Sequence, residues 1–227
     1  DARRRGAQAQ GGVVRLQPWR RDRAPRRGSA FDRFPRRFQR YSACIDSTGY
    51  VFAQSETVTY LNLPLVGEQT IDSDTWQIWK DKAAQLHDIY IGYLENCQRQ
   101  IGTIIGAIAE NTPTTIIHCY AGKDRTGIIT ALVLAAMGVP DAYIAEDYSR
   151  SHAQISHLID TWRQYAIENN IDMKQIERDA SSNAETILKT LAHVRGQYGS
   201  IADYLAACSI TDAHLASIRS RFVQDDA

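Results

Sequence analysis

The ten residues His118-Cys119-Tyr120-Ala121-Gly122-Lys123-Asp124-Arg125-Thr126-Gly127 join two apolar runs of different kind, and that junction limits the folds open to the chain. Upstream, Thr114, Thr115, Ile116 and Ile117 are all β-branched and follow Pro113, the pattern of a short buried strand. Downstream, residues 128–137 are apolar on nearly every face and run into Gly138 and Pro140, a stop signal for a buried helix. The decapeptide is therefore expected as a strand-to-helix turn. Such a turn aims backbone N–H groups and the positive end of a helix dipole at one point, which attracts an anion.

The residue types within the turn suggest what happens to that anion. Cys119 is followed by five residues and then Arg125. A thiol at a helix N-terminus beside a guanidinium favours the thiolate, which is the nucleophilic form. The arginine fork matches two oxygens of a phosphate. Gly122 permits backbone angles that a Cβ would obstruct, and Gly127 allows close packing where the helix begins. Thr126 places a hydroxyl within reach of the sulfur, while Lys123 and Asp124 add a cation and a candidate proton donor. A nucleotide-binding Walker loop does not fit, because its first glycine would fall on Ile117 and its final Ser or Thr on Asp124. The competing reading of Cys119 as a buried structural thiol leaves the spacing of His118, both glycines and Arg125 to coincidence.

At these residues the chain resembles the cysteine-dependent protein-tyrosine phosphatase superfamily, whose signature is His-Cys, five residues, Arg, then Ser or Thr. The Gly-Lys-Asp-Arg-Thr-Gly ending is similar to the bacterial branch of tyrosine phosphatases, some with lipid phosphatase activity. Gly138-Val139-Pro140-Asp141, Glu146-Asp147-Tyr148-Ser149 and Tyr198-Gly199-Ser200 to Tyr204-Leu205 resemble that branch too, so the likeness runs from Thr57 to about Val223. It implies an α/β fold with a small, mostly parallel central sheet flanked by many helices and a helical C-terminal half. It also implies metal-independent phosphomonoester hydrolysis with no cofactor. Cys119 would be the nucleophile and would pass through a phosphocysteine. Residues Tyr120, Ala121, Gly122, Lys123, Asp124 and Arg125 would hold the phosphate, with His118, Thr126 and Gly127 in support. Asp124 is the first candidate for the acid, with Asp72, Asp74 and Asp88 as alternatives and a bracing role for Asp124 equally open. A deep pocket favours a phosphotyrosine protein as substrate, whereas Lys123 suits a phosphoinositide; a phosphate-binding pseudophosphatase is the non-enzyme alternative.

The formal charge is zero but segregated. Residues 1–40 hold 13 Arg, no Lys and three acids, which leaves 13 of the 26 basic and 23 of the 26 acidic residues for 41–227. This divides the chain into an arginine-rich segment, 1–40, and a phosphatase domain, 41–227. The first segment has no sustained apolar period and is broken by glycine and proline, so disorder is expected. It reads either as a basic arm for anionic surfaces or as non-native sequence; the Asp-Leu-Arg type segment of the related phosphatases is not found in it. No specific nucleic-acid site is expected. Four cysteines at unrelated spacings give neither a metal pairing nor a disulfide framework, and point to a reducing compartment. With no span-length apolar run and no Sec-type signal, a cytoplasmic location is expected, export by a non-Sec route aside. Nothing sets an oligomeric state.

The remaining elements follow from periodicity. A strand is expected over residues 57–63. A helix capped by Ser73 or Asp74 would carry Trp76, Trp79, Ala83, Leu86 and Tyr90 toward the core, and a second would pass through Ile101, Ile104, Ile105 and Ile108 to stop near Asn111. A substrate-stacking lid is the alternative for the two tryptophans. Beyond Pro140 nearly all is helical by pattern, with starts at Asp141, Ser200 and Thr211 and apolar stripes at 155–165 and 187–194. His118, His152 and His157 do not make a metal site.

Overall fold

The computed structural model describes residues 61, 63–66, 73–110 and 115–223. Eleven helices account for most of them: α1 (Ser73–Lys82), α2 (Leu86–Asn96), α3 (Gln98–Glu110), α4 (Asp124–Ala136), α5 (Asp141–Ser149), α6 (Ser151–Gln154), α7 (Ser156–Glu168), α8 (Met173–Ala180), α9 (Ala184–Tyr198), α10 (Ile201–Ala207) and α11 (Asp212–Phe222). The expected central parallel sheet is not seen. Among the described residues there is no strand: 115–117 lack regular structure and His118 forms an isolated bridge. β-branched residues favour extended backbone, but a strand exists only through its ladder, and most of the other expected strand, residues 57–60 and 62, lies outside the described residues. The arginine-rich segment and the weak signals at 41–55 lie outside them as well.

The main core is built from helix faces. α4 is apolar all round and buries Ile128, Ile129, Ala131, Leu132 and Val133 at its centre. α9 packs against α2, α5 and α10, and α3 against α11. Ile101, Ile105, Ile187, Leu191, Tyr204 and Leu205 fill the space between these helices. Gly102 lets two segments close up: a Cβ there would stand 1.8 Å from the backbone oxygen of Cys208. A separate small cluster of Ile155, Ile159 and Ala180, with Leu158 and Trp162 against it, joins α7 and α8.

The helix starts expected at Ser200 and Thr211 are present, and both hydroxyls cap: Ser200 accepts from the amide of Asp203, Thr211 from that of His214. The single helix expected from Ser73 through Tyr90 is instead two. After Lys82 the chain turns, and a reciprocal capping box between Gln85 and Asp88 restarts it as α2. The apolar spacing continues across the break because both pieces face the same core. Trp79 faces inward as expected, its indole lying where a Cβ on Gly92 would stand and edge-on to Tyr93 at 6.2 Å.

Candidate active site

The decapeptide forms the turn that leads into α4. Cys119 is only 4% exposed and belongs to the main core, whereas Tyr120 beside it is 64% exposed. Ala121 packs against the second cluster, with Ile155, Ile159 and Ala180. The loop is thus seated on two cores within three residues. Gly122 has φ +69°, a left-handed conformation that a side chain would strain. Lys123 is the N-cap residue of α4, and Asp124 and Arg125 are its first two residues, so the amides of that first turn have no helical acceptor. Arg125 is half-buried, and its charge bears on the Tyr93 hydroxyl. His118 meets the carbonyl of Cys119 through Nδ1 at 3.0 Å. The Thr126 hydroxyl is buried without a hydrogen-bond partner among the described residues. A small cavity borders the loop on the α5 side, lined by Gly122, Lys123, Thr126, Gly127, Asp147 and Ser151 among others.

The two charged residues inside the loop are held from distant parts of the chain. Lys123 is fully buried. Its ammonium donates to the carbonyls of Asp179 at 2.5 Å and Ser181 at 2.6 Å, at the end of α8, and lies 2.9 Å from Asp124 Oδ1. An ammonium has three protons, so these three acceptors use its whole donor capacity. The carboxylate of Asp179 is itself held, by Lys80 of α1 at 2.8 Å and by Arg178 at 2.9 Å. Arg178 also donates to the carbonyls of Lys80 and Ala83, which ties the end of α1 to α8.

Asp124 Oδ1 accepts a second donor, the hydroxyl of Tyr90 at 2.5 Å. Tyr90 OH in turn lies 2.6 Å from Tyr148 OH. Both tyrosines are buried, and burial first and the charge of Asp124 second raise both hydroxyls above the usual tyrosine range. Gly127 makes room for this arrangement, since a Cβ there would stand 2.9 Å from Cδ2 of the Tyr148 ring. Neither tyrosine carries a sequence signal as a site residue; Tyr90 reads as one more apolar-face position of its helix. Of the alternative acids, Asp88 is engaged in the α2 capping box, accepting from the Gln85 amide at 2.7 Å. Asp72 and the side chain of Asp74 lie outside the described residues. Burial pushes the thiols of Cys97 and Cys208 up to about 11, so both are un-ionised and inert near neutrality. No group of three or more metal-ligating side chains occurs among the described residues. His152 instead meets the carbonyl of Ala180 at 3.1 Å.

Residues 42–224 match the model of the tyrosine phosphatase family, which is most of the chain. The chain belongs to that family. Among curated proteins it is 30% identical over 133 residues to the triple specificity protein phosphatase PtpB of Mycobacterium tuberculosis, a match covering 54% of this chain and 48% of the relative. It is 25% identical over 184 residues to a tyrosine-protein phosphatase of Nostoc commune, covering 77% and 60%. The chain therefore spans about half the length of the curated relatives it matches. No helix among the described residues is long and apolar enough to cross a membrane.

Proposed function

We propose that this phosphatase-family chain hydrolyses phosphomonoesters through a phosphocysteine, with phosphotyrosine in a protein as its substrate. The observation that carries the reading is that the turn bearing the buried Cys119 leads directly into α4, with Arg125 in the first turn of that helix. In the first step the Cys119 thiolate forms an S–P bond as the P–O bond of the ester breaks. Amides of residues 120–125 and the Arg125 fork hold the equatorial oxygens, which supports the transition state most where charge is greatest. Asp124 gives the departing oxygen its proton. In the second step water attacks phosphorus and gives a proton to the Asp124 carboxylate, the P–S bond breaks, and phosphate and the thiolate are released. Thr126, whose hydroxyl has no hydrogen-bond partner among the described residues, is suited to stabilise the leaving sulfur.

The buried Lys123 offers no charge to a second phosphate, which removes the residue argument for a phosphoinositide. The name of the Mycobacterium relative speaks for broader specificity, so both substrate classes belong in the test. Turnover of an aryl phosphate should be inhibited by vanadate, unaffected by EDTA and absent in Cys119→Ser, which should still bind a phosphate analogue. Turnover retained in that variant would remove Cys119 from the chemistry. Phosphate-analogue binding without turnover by the wild-type chain would make it a pseudophosphatase. Faster turnover of phosphoinositides than of phosphotyrosine peptides would reassign the substrate.

A further inference from the structure

The geometry points to Tyr90 and Tyr148 as positioning residues for the reaction: the pair fixes the carboxyl of Asp124 so that Oδ2 carries the proton for the leaving group. This rests on the acid role given to Asp124 above. Two donors converge on one oxygen, since Oδ1 receives both the Tyr90 hydroxyl at 2.5 Å and the Lys123 ammonium at 2.9 Å. A protonated carboxyl whose Oδ1 already accepts two bonds must carry its proton on Oδ2. Rotation about χ2 would exchange the oxygens, but it would leave a buried hydroxyl and a buried ammonium each short of an acceptor, which is costly for both. Asp124 keeps 31% of its side chain exposed, so the carboxyl is held on one side and open on the other.

The tyrosine pair suits this task. A hydroxyl has one proton; Tyr90 spends it on Asp124 Oδ1, so Tyr148 must donate to the Tyr90 oxygen. Donation from Tyr148 polarises Tyr90 and strengthens its bond to Asp124. Burial keeps both hydroxyls protonated throughout the neutral range, so the donors do not fail with pH. The rings lock each other edge-on at 6.2 Å, and Gly127 seats the Tyr148 ring against α4. The chain thus draws α2 (Tyr90), α5 (Tyr148) and the start of α4 (Asp124) to a single oxygen atom.

The test compares Tyr90→Phe, Tyr148→Phe, Asp124→Asn and the Tyr90→Phe/Asp124→Asn double variant on two esters. Phenyl phosphate needs a proton on its leaving group, whereas 2,4-dinitrophenyl phosphate does not. Asp124→Asn should lower kcat on phenyl phosphate by about a hundredfold or more, with little change on the dinitrophenyl ester. Tyr90→Phe should show the same selectivity at about tenfold or more, in kcat rather than KM, with Tyr148→Phe following at a smaller loss. In the double variant the tyrosine change should add little to the loss from Asp124→Asn, because both act through one proton. Equal losses for Tyr90→Phe on both esters, or a full multiplicative loss in the double variant, would overturn the positioning role while leaving Asp124 as the acid. An unselective Asp124→Asn would remove the acid role, and the inference with it. Melting temperatures accompany each variant; if Tyr90→Phe does not fold, Tyr148→Phe carries the same comparison, and its equal loss on both esters is the refuting result.

Discussion

Replacing Lys123 with Met keeps the aliphatic stem and deletes the ammonium, which isolates the bonds that pin the loop. Lys123 is fully buried, and its partners at the end of α8 are main-chain carbonyls that no side-chain rotation can redirect. Charge-assisted hydrogen bonds contribute about 1.5 to 3 kcal/mol each, net of desolvation. The third bond, to Asp124, counts for less: that carboxylate keeps the Tyr90 hydroxyl and is open enough for water to replace the lysine. Taking the low end for the two carbonyls and discounting the third gives a loss of about 3 kcal/mol, in line with breaking one side of a buried pair. For a domain of this size that corresponds to a fall in Tm of about 6 to 12 °C, measurable by calorimetry or thermal circular dichroism. Activity should fall in kcat by a similar factor on phosphotyrosine peptides and phosphoinositides, both of which need a proton on the leaving group, because no substrate contact is removed. A Tm within about 2 °C of wild type, together with a raised KM for multiply phosphorylated substrates, would refute this reasoning and return the ammonium to the binding surface.

Two further outcomes follow from the same geometry. Arg125→Lys keeps the charge but cannot make two parallel bonds to the transferred phosphoryl group; kcat should fall by at least about tenfold, or 1.4 kcal/mol of transition-state stabilisation, in steady-state assays. Gly102→Ala places a methyl group 1.8 Å from the Cys208 backbone oxygen, which cannot swing away as a side chain would. It should destabilise the fold by about 3 kcal/mol in urea titration with unchanged substrate preference in the folded fraction.

The turn into α4 was legible because its signals are local: two glycines and the apolar run that follows them mark where the helix begins. The helices around Ile101 and Ile187 were legible for the same reason, since each apolar stripe reports the period of its own segment, and the helix around Ile129 because its unbroken apolar run ends at Gly138 and Pro140. The break between α1 and α2 was missed because Gln85 and Asp88 make an uncommon capping box while the apolar spacing runs on unchanged. The sheet depended on pairing between distant segments, and Thr115, Ile116 and Ile117 carry a propensity rather than a partner. The contacts of Lys123 and Tyr90 lay beyond sequence reasoning for a related cause. Their partners are 56 and 34 residues away, and a lysine enclosed by carbonyls spells the same as one facing solvent.

Cys119 sits in one apolar cluster and Ala121 in another. The small cluster of α7 and α8 cannot open without withdrawing both the seat of Ala121 and the carbonyls that hold Lys123. Opening of that unit and occupation of the loop are therefore linked equilibria. An anion that binds only the ordered loop holds the two helices shut without touching them, adding RT ln(1 + [L]/Kd) to the free energy of their opening.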